Sequence, residues 1–397
     1  MAMEYVGSRA ERRARARART RAQDISFLRR MDWILFGAVA ALVGYGLYAI
    51  GGITEHDVTG NPRYFVVRQA LFAFVGLAGL AIALVIDPAW YRRFWRPIYG
   101  GTALVMFLVF LAGPVTRGSR RWLDLGFFRF QPSEFGKLLF VLALAGFLAE
   151  RSRRLNEPQT TGTALGLAAL PMLLVYLQPD FGTALVYAAA LAALLFVAGV
   201  RWLNIAVVAL LTTLAAAAVL WALPAAGVHV LKDYQLQRIT GFMHPDTDPS
   251  GATYNVTQSK VAIGAGGFDG RGVRNATQTN LDYLPEHATD FVFASLAEQR
   301  GFIGAAILLC LYLLVVWRGL RVITVARDMY SAVVAGGVVF AFLFQVFVNV
   351  GMTMGIAPIT GIPLPFVSVG GSSMIANLVA VGVLLSIHLR GTPMRRR

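Results

Sequence analysis

Apolar runs about twenty residues long, broken by short polar loops, constrain this chain more than any other feature. A bilayer core of about 30 Å needs roughly 20 apolar residues per helix. Runs of that kind lie near 32–52, 68–86, 96–113, 133–150, 163–178, 181–199, 202–223, 290–317, 329–353 and 372–390. Backbone amides find no water in lipid, so each run must satisfy its own hydrogen bonds as a helix. The predicted fold class is an all-α polytopic membrane protein with about ten transmembrane helices and a large extracytoplasmic loop between spans 7 and 8. Only 14% of the 397 residues are charged and mean hydropathy is +0.61. Soluble domains carry about 25% charged residues, so a large soluble domain is excluded. The division at Gln178-Pro179-Asp180 rests on length and on Pro followed by a charge, which marks a turn.

Ten spans place both ends on one side. Short loops on that side hold Arg92, Arg93, Arg96, Arg151, Arg153, Arg154, Arg201, Arg318, Arg321 and Arg327. The positive-inside rule makes that side cytoplasmic. Residues 1–30, with nine arginines, read as a disordered cytoplasmic tail suited to anionic headgroups, and 391–397 as a second basic tail. Between them, 31–390 form the membrane domain. Nothing in the chain matches a nucleic-acid module. Loop 114–132 breaks the charge rule with Arg117, Arg120, Arg121 and Arg129; anion binding is one reason for cations there. The loop at 224–289 is too long for charge bias to constrain. It is expected to carry short amphipathic helices near Tyr254–Ala262 and Gly-rich turns at Gly264–Gly272.

Several charges interrupt apolar runs. Glu134 and Lys137 share a helix face by their spacing of three and can pair; Ser133 can cap that helix and Glu134 suits its first turn. The pair is either a local ion pair at a capped end or a charge facing a water-filled cavity. Thr289 and Asp290 open span 8 as an N-cap or, for Asp290, as a general base at a helix mouth. Glu298 and Arg300, deeper in the same run, imply that its first part lines a polar cavity. Segment 355–378 carries Pro358, Pro363, Pro365, Gly370-Gly371 and Ser372-Ser373 outside any helix, as a re-entrant, protein-covered stretch or a rigid closing loop. The lone Cys310 reads as a buried small hydrophobe. Five histidines show no ligand spacing, and nucleophilic triads, Walker and Rossmann fingerprints are absent.

These residues together resemble the SEDS family (shape, elongation, division and sporulation), the RodA and FtsW type of peptidoglycan glycosyltransferase. The resemblance covers about 30–390 and rests on GSRRWLDLG (118–126), QPSEFGK (131–137), QPDFGTAL (178–185), the stretch 234–272, LPEHATDFVFASLAEQRG (284–301) and TGIPLPFVSVGGSS (360–373), in family order. It implies a ten-span enzyme in the bacterial cytoplasmic membrane that polymerises lipid II into glycan strands. The essential acid maps to Asp290 as the catalytic residue. Trp122, Glu134, Lys137 and Asp180 map to family positions; with Arg117, Arg120, Arg121, Glu286 and Ser372 they make the expected substrate-binding set. The family's histidine directly before Thr-Asp is displaced here to His287, and its Ser-Tyr-Gly-Gly reads Ser368-Val369-Gly370-Gly371. No tyrosine hydroxyl is needed at that position.

The resemblance further implies a class B penicillin-binding protein, a transpeptidase, as partner alongside other elongation proteins, and no organic cofactor. A divalent cation, Mg or Mn, can bridge the pyrophosphate of lipid II. TGIPLPFVS and the modest length lean to the RodA, elongation type over the division type. A lipid II flippase is the rival from another class, and a scaffold with vestigial catalysis a third. A transporter often carries repeated halves with charges at the midplane, and no such repeat is visible.

Overall fold

The computed structural model describes residues 30–114, 121–124, 126, 128–218, 224 and 252–391. The two arginine-rich tails, Arg117, Arg120 and much of the long loop at 224–289 lie outside them. The helices are α1 Trp33–Ile53, α2 Tyr64–Val85, α3 Pro88–Arg93, α4 Trp95–Ala112, α5 Pro132–Glu150, α6 Pro158–Leu177, α7 Phe181–Val197, α8 Trp202–Ala217, α9 Ala252–Gly266, α10 Thr277–Asn280, α11 Val292–Val325, α12 Met329–Thr353 and α13 Gly371–Gly391. Among the described residues, seven helices (α1, α2, α5, α6, α11, α12 and α13) are long and apolar enough to cross a membrane. Three shorter apolar helices, within α4, α7 and α8, fall on the remaining expected runs. The chain is a multi-pass, all-α membrane protein, with one small addition. A two-stranded antiparallel ribbon, β1 Leu123–Asp124 and β2 Arg129–Phe130, pairs Leu123 with Phe130 in the loop before α5.

Side-chain contacts fix which helix ends share a face. On one face, Arg318 of α11 meets Asp32 ahead of α1 at 2.7 Å, and His388 of α13 lies 3.8 Å from the same carboxylate. Arg390 reaches Asp87 after α2, and the Trp95 indole of α4 donates to Glu150 at the end of α5. Asn204 of α8 meets Thr161 of α6 there too. The rule-following arginines cluster at these ends. On the opposite face lie the starts of α2, α5, α7 and α13 and the approach to α11.

The core sits around α5, which is buried along nearly its whole length and packs against α4, α7, α12 and α13. In lipid, helices associate by close packing rather than by a hydrophobic drive, and small residues let backbones approach. The α2–α13 pair shows this: a Cβ at Gly382 would lie 2.5 Å from the Leu80 carbonyl. The side turned away from the bundle is apolar: Leu71, Phe74 and Ile82 of α2 and Phe302, Leu313 and Trp317 of α11 are exposed. Cys310 is exposed on this side, not buried. Lipid-facing and bundle-facing positions are equally apolar, so periodicity did not separate them.

Two further expectations change. Residues Gly264 to Gly266 continue α9 instead of forming a turn, because Gly266 must lie flat against α11; a Cβ there would meet the Ala297 carbonyl at 2.0 Å. The turn begins at Gly267, and Gly267, Gly270 and Gly272 all have positive φ. It covers a break in α11 at Gly301 (φ 64, ψ −164). There the Phe302 amide donates to the Gly267 carbonyl and the Gly272 amide to the Gln299 carbonyl. The first part of α11 is therefore buried under this segment instead of lining a polar cavity. Glu298 is fully buried, and its carboxylate accepts from the Gln278 and Thr279 amides and the Thr279 hydroxyl. Arg300 instead stacks on Tyr48, 4.5 Å from the ring centroid.

Candidate functional site

A cavity of about 390 Å³ opens on the face away from the arginine-rich loops. Five stretches of chain build its wall. They are Arg121 and Trp122 ahead of the ribbon, Gln131 and Glu134 at the start of α5, Asp180 and Thr183 at the start of α7, Glu286 to Asp290, and the Thr360–Ser373 segment. The structure thus gathers Asp290, Trp122, Arg121, Glu134, Asp180, Glu286 and Ser372 around one space. Lys137 lies behind the wall. The first turns of α5, α7 and α13 converge here, and helix N-termini carry partial positive charge suited to anions.

Each side chain is held by identifiable partners. Lys137 Nζ donates to both Glu134 oxygens at 2.9 Å and to Gln345 Oε1 at 2.7 Å, all of them buried. Asp180 caps α7 through the Thr183 amide and accepts from Gln131 Nε2 at 3.1 Å. Arg121 donates to the carbonyls of Gln178 and Pro179 and stands 3.8 Å from Asp180. The guanidinium expected to hold an anion is thereby anchored in the α6–α7 turn, with part of its surface left to the cavity. The Ser372 hydroxyl accepts from the Gln131 amide and donates to the Arg129 carbonyl, tying α13 to the ribbon.

Helix boundaries differ from expectation in three places. Asp290 is not an N-cap: α11 starts at Val292 with Phe291 as its cap residue. Ser133 does not cap α5, whose N-cap position is Gln131. Ser372 and Ser373 belong to the first turn of α13 instead of the irregular segment. Residues 355–370 are otherwise irregular, and Leu364 to Ser368 are buried within the protein. Protein cover of this kind is what a membrane requires of non-helical backbone within it.

Asp290 rides on a loop pinned from several sides. Glu286 adopts φ 55, its carbonyl accepts from the Thr289 and Phe291 amides, and its carboxylate accepts from the Thr289 hydroxyl at 2.9 Å. His287 reaches across to Asp57, after α1, at 3.1 Å. Gln69 of α2 clamps the far side of the cavity, donating to the Ser368 carbonyl and accepting from the Gly370 amide. Gln131, Thr183, Gln69 and Asn349 escaped the sequence reading. Gln345 and Asn349 carry a legible signal, as polar residues in the apolar run FLFQVFVNV.

The model of the FtsW/RodA/SpoVE family, described as "Cell cycle protein", matches residues 29–392. The chain belongs to this family. Its relatives include the peptidoglycan glycosyltransferase MrdB of Escherichia coli K12, 40% identical over 350 residues, covering 87% of this chain and 92% of that protein. The stage V sporulation protein E of Bacillus subtilis is 36% identical, over 89% of this chain and 94% of that protein. Among solved structures, a chain of a peptidoglycan synthase complex matches with a TM-score of 0.76 and 30% identity, over 91% of this chain and 98% of that one. The rod shape determining protein RodA of Thermus thermophilus matches with a TM-score of 0.64 and 27% identity, over 90% and 96%. The expected SEDS membership therefore holds, and with it the all-α polytopic fold.

Proposed function

We propose that Asp290 is the general base with which this chain, a peptidoglycan glycosyltransferase, joins lipid II units on the outer side of the cytoplasmic membrane. The observation that carries the reading is the placement of Asp290 in a cavity whose wall is shared by Glu134, Asp180, Trp122 and three helix N-termini. Asp290 takes the proton from the acceptor sugar's 4-hydroxyl. That oxygen attacks the donor's anomeric carbon, and the lipid pyrophosphate leaves with the bonding electrons. General-base catalysis contributes about 10²–10⁴-fold; alignment of the two sugars and charge neutralisation supply the rest.

Binding follows from the same wall. Trp122 offers an apolar face to a sugar ring, and the start of α13 at Gly371-Ser372 offers amides to a phosphate. The described wall carries four carboxylates, Glu134, Asp180, Glu286 and Asp290, against one guanidinium, Arg121. A pyrophosphate needs more positive charge than that, which Arg117, Arg120 and a divalent cation would supply. No three His, Cys, Asp or Glu residues among those described are grouped to hold a metal. The cation would be held jointly with phosphate oxygens, and no step is routed through it.

The chain crosses the membrane ten times, with the three shorter helices spanning as well, and both termini lie in the cytoplasm. Exposed Trp33, Trp90, Trp202 and Trp317 lie beside the arginines at one set of helix ends, as interfacial anchors do. Its role is in elongation, with a class B transpeptidase as partner. The test is polymer formation from purified lipid II by the full-length chain. Asp290→Ala and Asp290→Asn are expected to lower it at least a thousandfold with the fold retained, and chelation of divalent cations to lower it in the parent. Polymerisation by a folded Asp290→Ala protein would refute the assignment. Flipping of labelled lipid II in liposomes without polymer would favour a transporter.

A further inference from the structure

We infer that Asn349, buried in α12, is a positioning residue that sets the direction of the Asp290 side chain. The inference rests on the reading of Asp290 as the base. Three consecutive carbonyls of the acid-bearing loop are held from one side. The Val369 amide donates to the Ala288 carbonyl at 2.9 Å, the Ser368 hydroxyl to the Thr289 carbonyl, and the Asn349 side-chain amide to the Asp290 carbonyl at 2.9 Å. Fixing three successive peptide planes fixes the backbone dihedrals at Asp290 and so the direction of its Cα–Cβ bond. The first two donors come from the irregular segment, which needs an anchor of its own. Asn349 provides that too: the same amide donates to the Ile362 carbonyl at 2.8 Å.

Asn349 stands on a rigid element. It is fully buried within the 25-residue α12. One helical turn earlier, and on the same face by its spacing of four, Gln345 accepts from Lys137, which holds Glu134. One face of α12 therefore registers the loop carrying Asp290 against the opposite wall carrying Glu134. A displacement of about 1 Å in a catalytic group costs on the order of a hundredfold in rate. A tether that governs this spacing is read in kcat and not in substrate affinity.

The experiment uses the full-length chain and two measurements: lipid II polymerisation kinetics and backbone hydrogen exchange over 284–291. Asn349→Leu keeps much of the volume and removes both donors; Asn349→Ala removes donors and volume. Both are expected to lower kcat ten- to hundredfold with KM within threefold of the parent, and to speed exchange in 284–291 at least tenfold. Val346→Ala, a buried packing residue on the same helix, is expected to keep kcat within twofold. If Asn349→Leu does not fold, Asn349→Ser replaces it with the same expectations. Unchanged kcat with faster exchange, or lowered kcat with unchanged exchange, would each overturn the positioning role. Polymerisation by a folded Asp290→Ala protein would refute the Asp290 reading itself, while the exchange comparison would still accept or reject the tether.

Discussion

Two buried ion pairs sit at opposite ends of this bundle, and they differ in what surrounds them. At the arginine-rich end, Arg318 grips Asp32 through Nε and a terminal nitrogen at 2.7–3.2 Å, and the same carboxylate caps α1 through the Leu35 amide at 3.0 Å. Its side chain is wholly enclosed. At the other end, Lys137 neutralises Glu134 with help from Gln345, yet Glu134 also lines the cavity that holds Asp290. The first pair joins α1 to α11, with His388 of α13 standing 3.8 Å from the same carboxylate. The second sets the charge of a working surface. Burial alone does not distinguish a structural pair from a functional one; access to a cavity does.

The largest expected effect is common to both pairs. Breaking a buried pair by removing one partner costs about 3–5 kcal/mol, because a charge is left uncompensated. Arg318→Met and Lys137→Met should each lower the unfolding midpoint of the purified protein by an amount in that range. The comparison sharpens in the second measurement. Folded Arg318→Met should retain polymerisation within about threefold, whereas Lys137→Met should lose at least a hundredfold. Equal losses of activity would break the distinction between the two ends.

Replacing both partners with apolar residues tests the comparison more stringently, since such exchanges are often neutral or stabilising. Asp32→Leu with Arg318→Leu should recover stability to within about 2 kcal/mol of the parent and keep activity. Glu134→Leu with Lys137→Leu should recover stability to a similar degree and remain inactive. An active Glu134/Lys137 double variant would reduce that pair to the same structural role as Asp32–Arg318.

The contrast also marks where sequence reading succeeds in such a chain. Helix positions were legible because bilayer thickness sets a length that apolar runs must meet, and α1, α2, α12 and α13 follow those runs closely. Asp290 was legible as an acid at a helix mouth, Trp122 and Asp180 through the family resemblance, and the structure brings the three to one cavity. What failed was local or directional. Asp290 and Ser133 looked like caps, but the residue that caps depends on where the chain turns, and packing decided that. Cys310 looked buried because lipid and protein interior select the same residue types. Glu298 looked like a cavity charge, and its true partners, the amides of Gln278 and Thr279, are backbone groups that no side-chain motif announces.

The smallest expected effect lies at Ser372, where structure and binding overlap. Its hydroxyl accepts from the Gln131 amide at 2.9 Å and donates to the Arg129 carbonyl at 3.2 Å, so it stitches the first turn of α13 to the ribbon and to α5. Both bonds are neutral, and such bonds contribute about 1 kcal/mol each, with a further cost where a buried amide loses its acceptor. Ser372→Ala should therefore lower stability by about 1–2 kcal/mol, much less than either broken ion pair. Because the residue lines the cavity beside the α13 N-terminus and does not touch the loop of Asp290 through this hydroxyl, the change should appear in KM for lipid II, by about three- to tenfold, with kcat nearly unchanged. A loss confined to kcat would show that α13 and the ribbon help to place the reacting sugars and do more than shape the anion-binding wall.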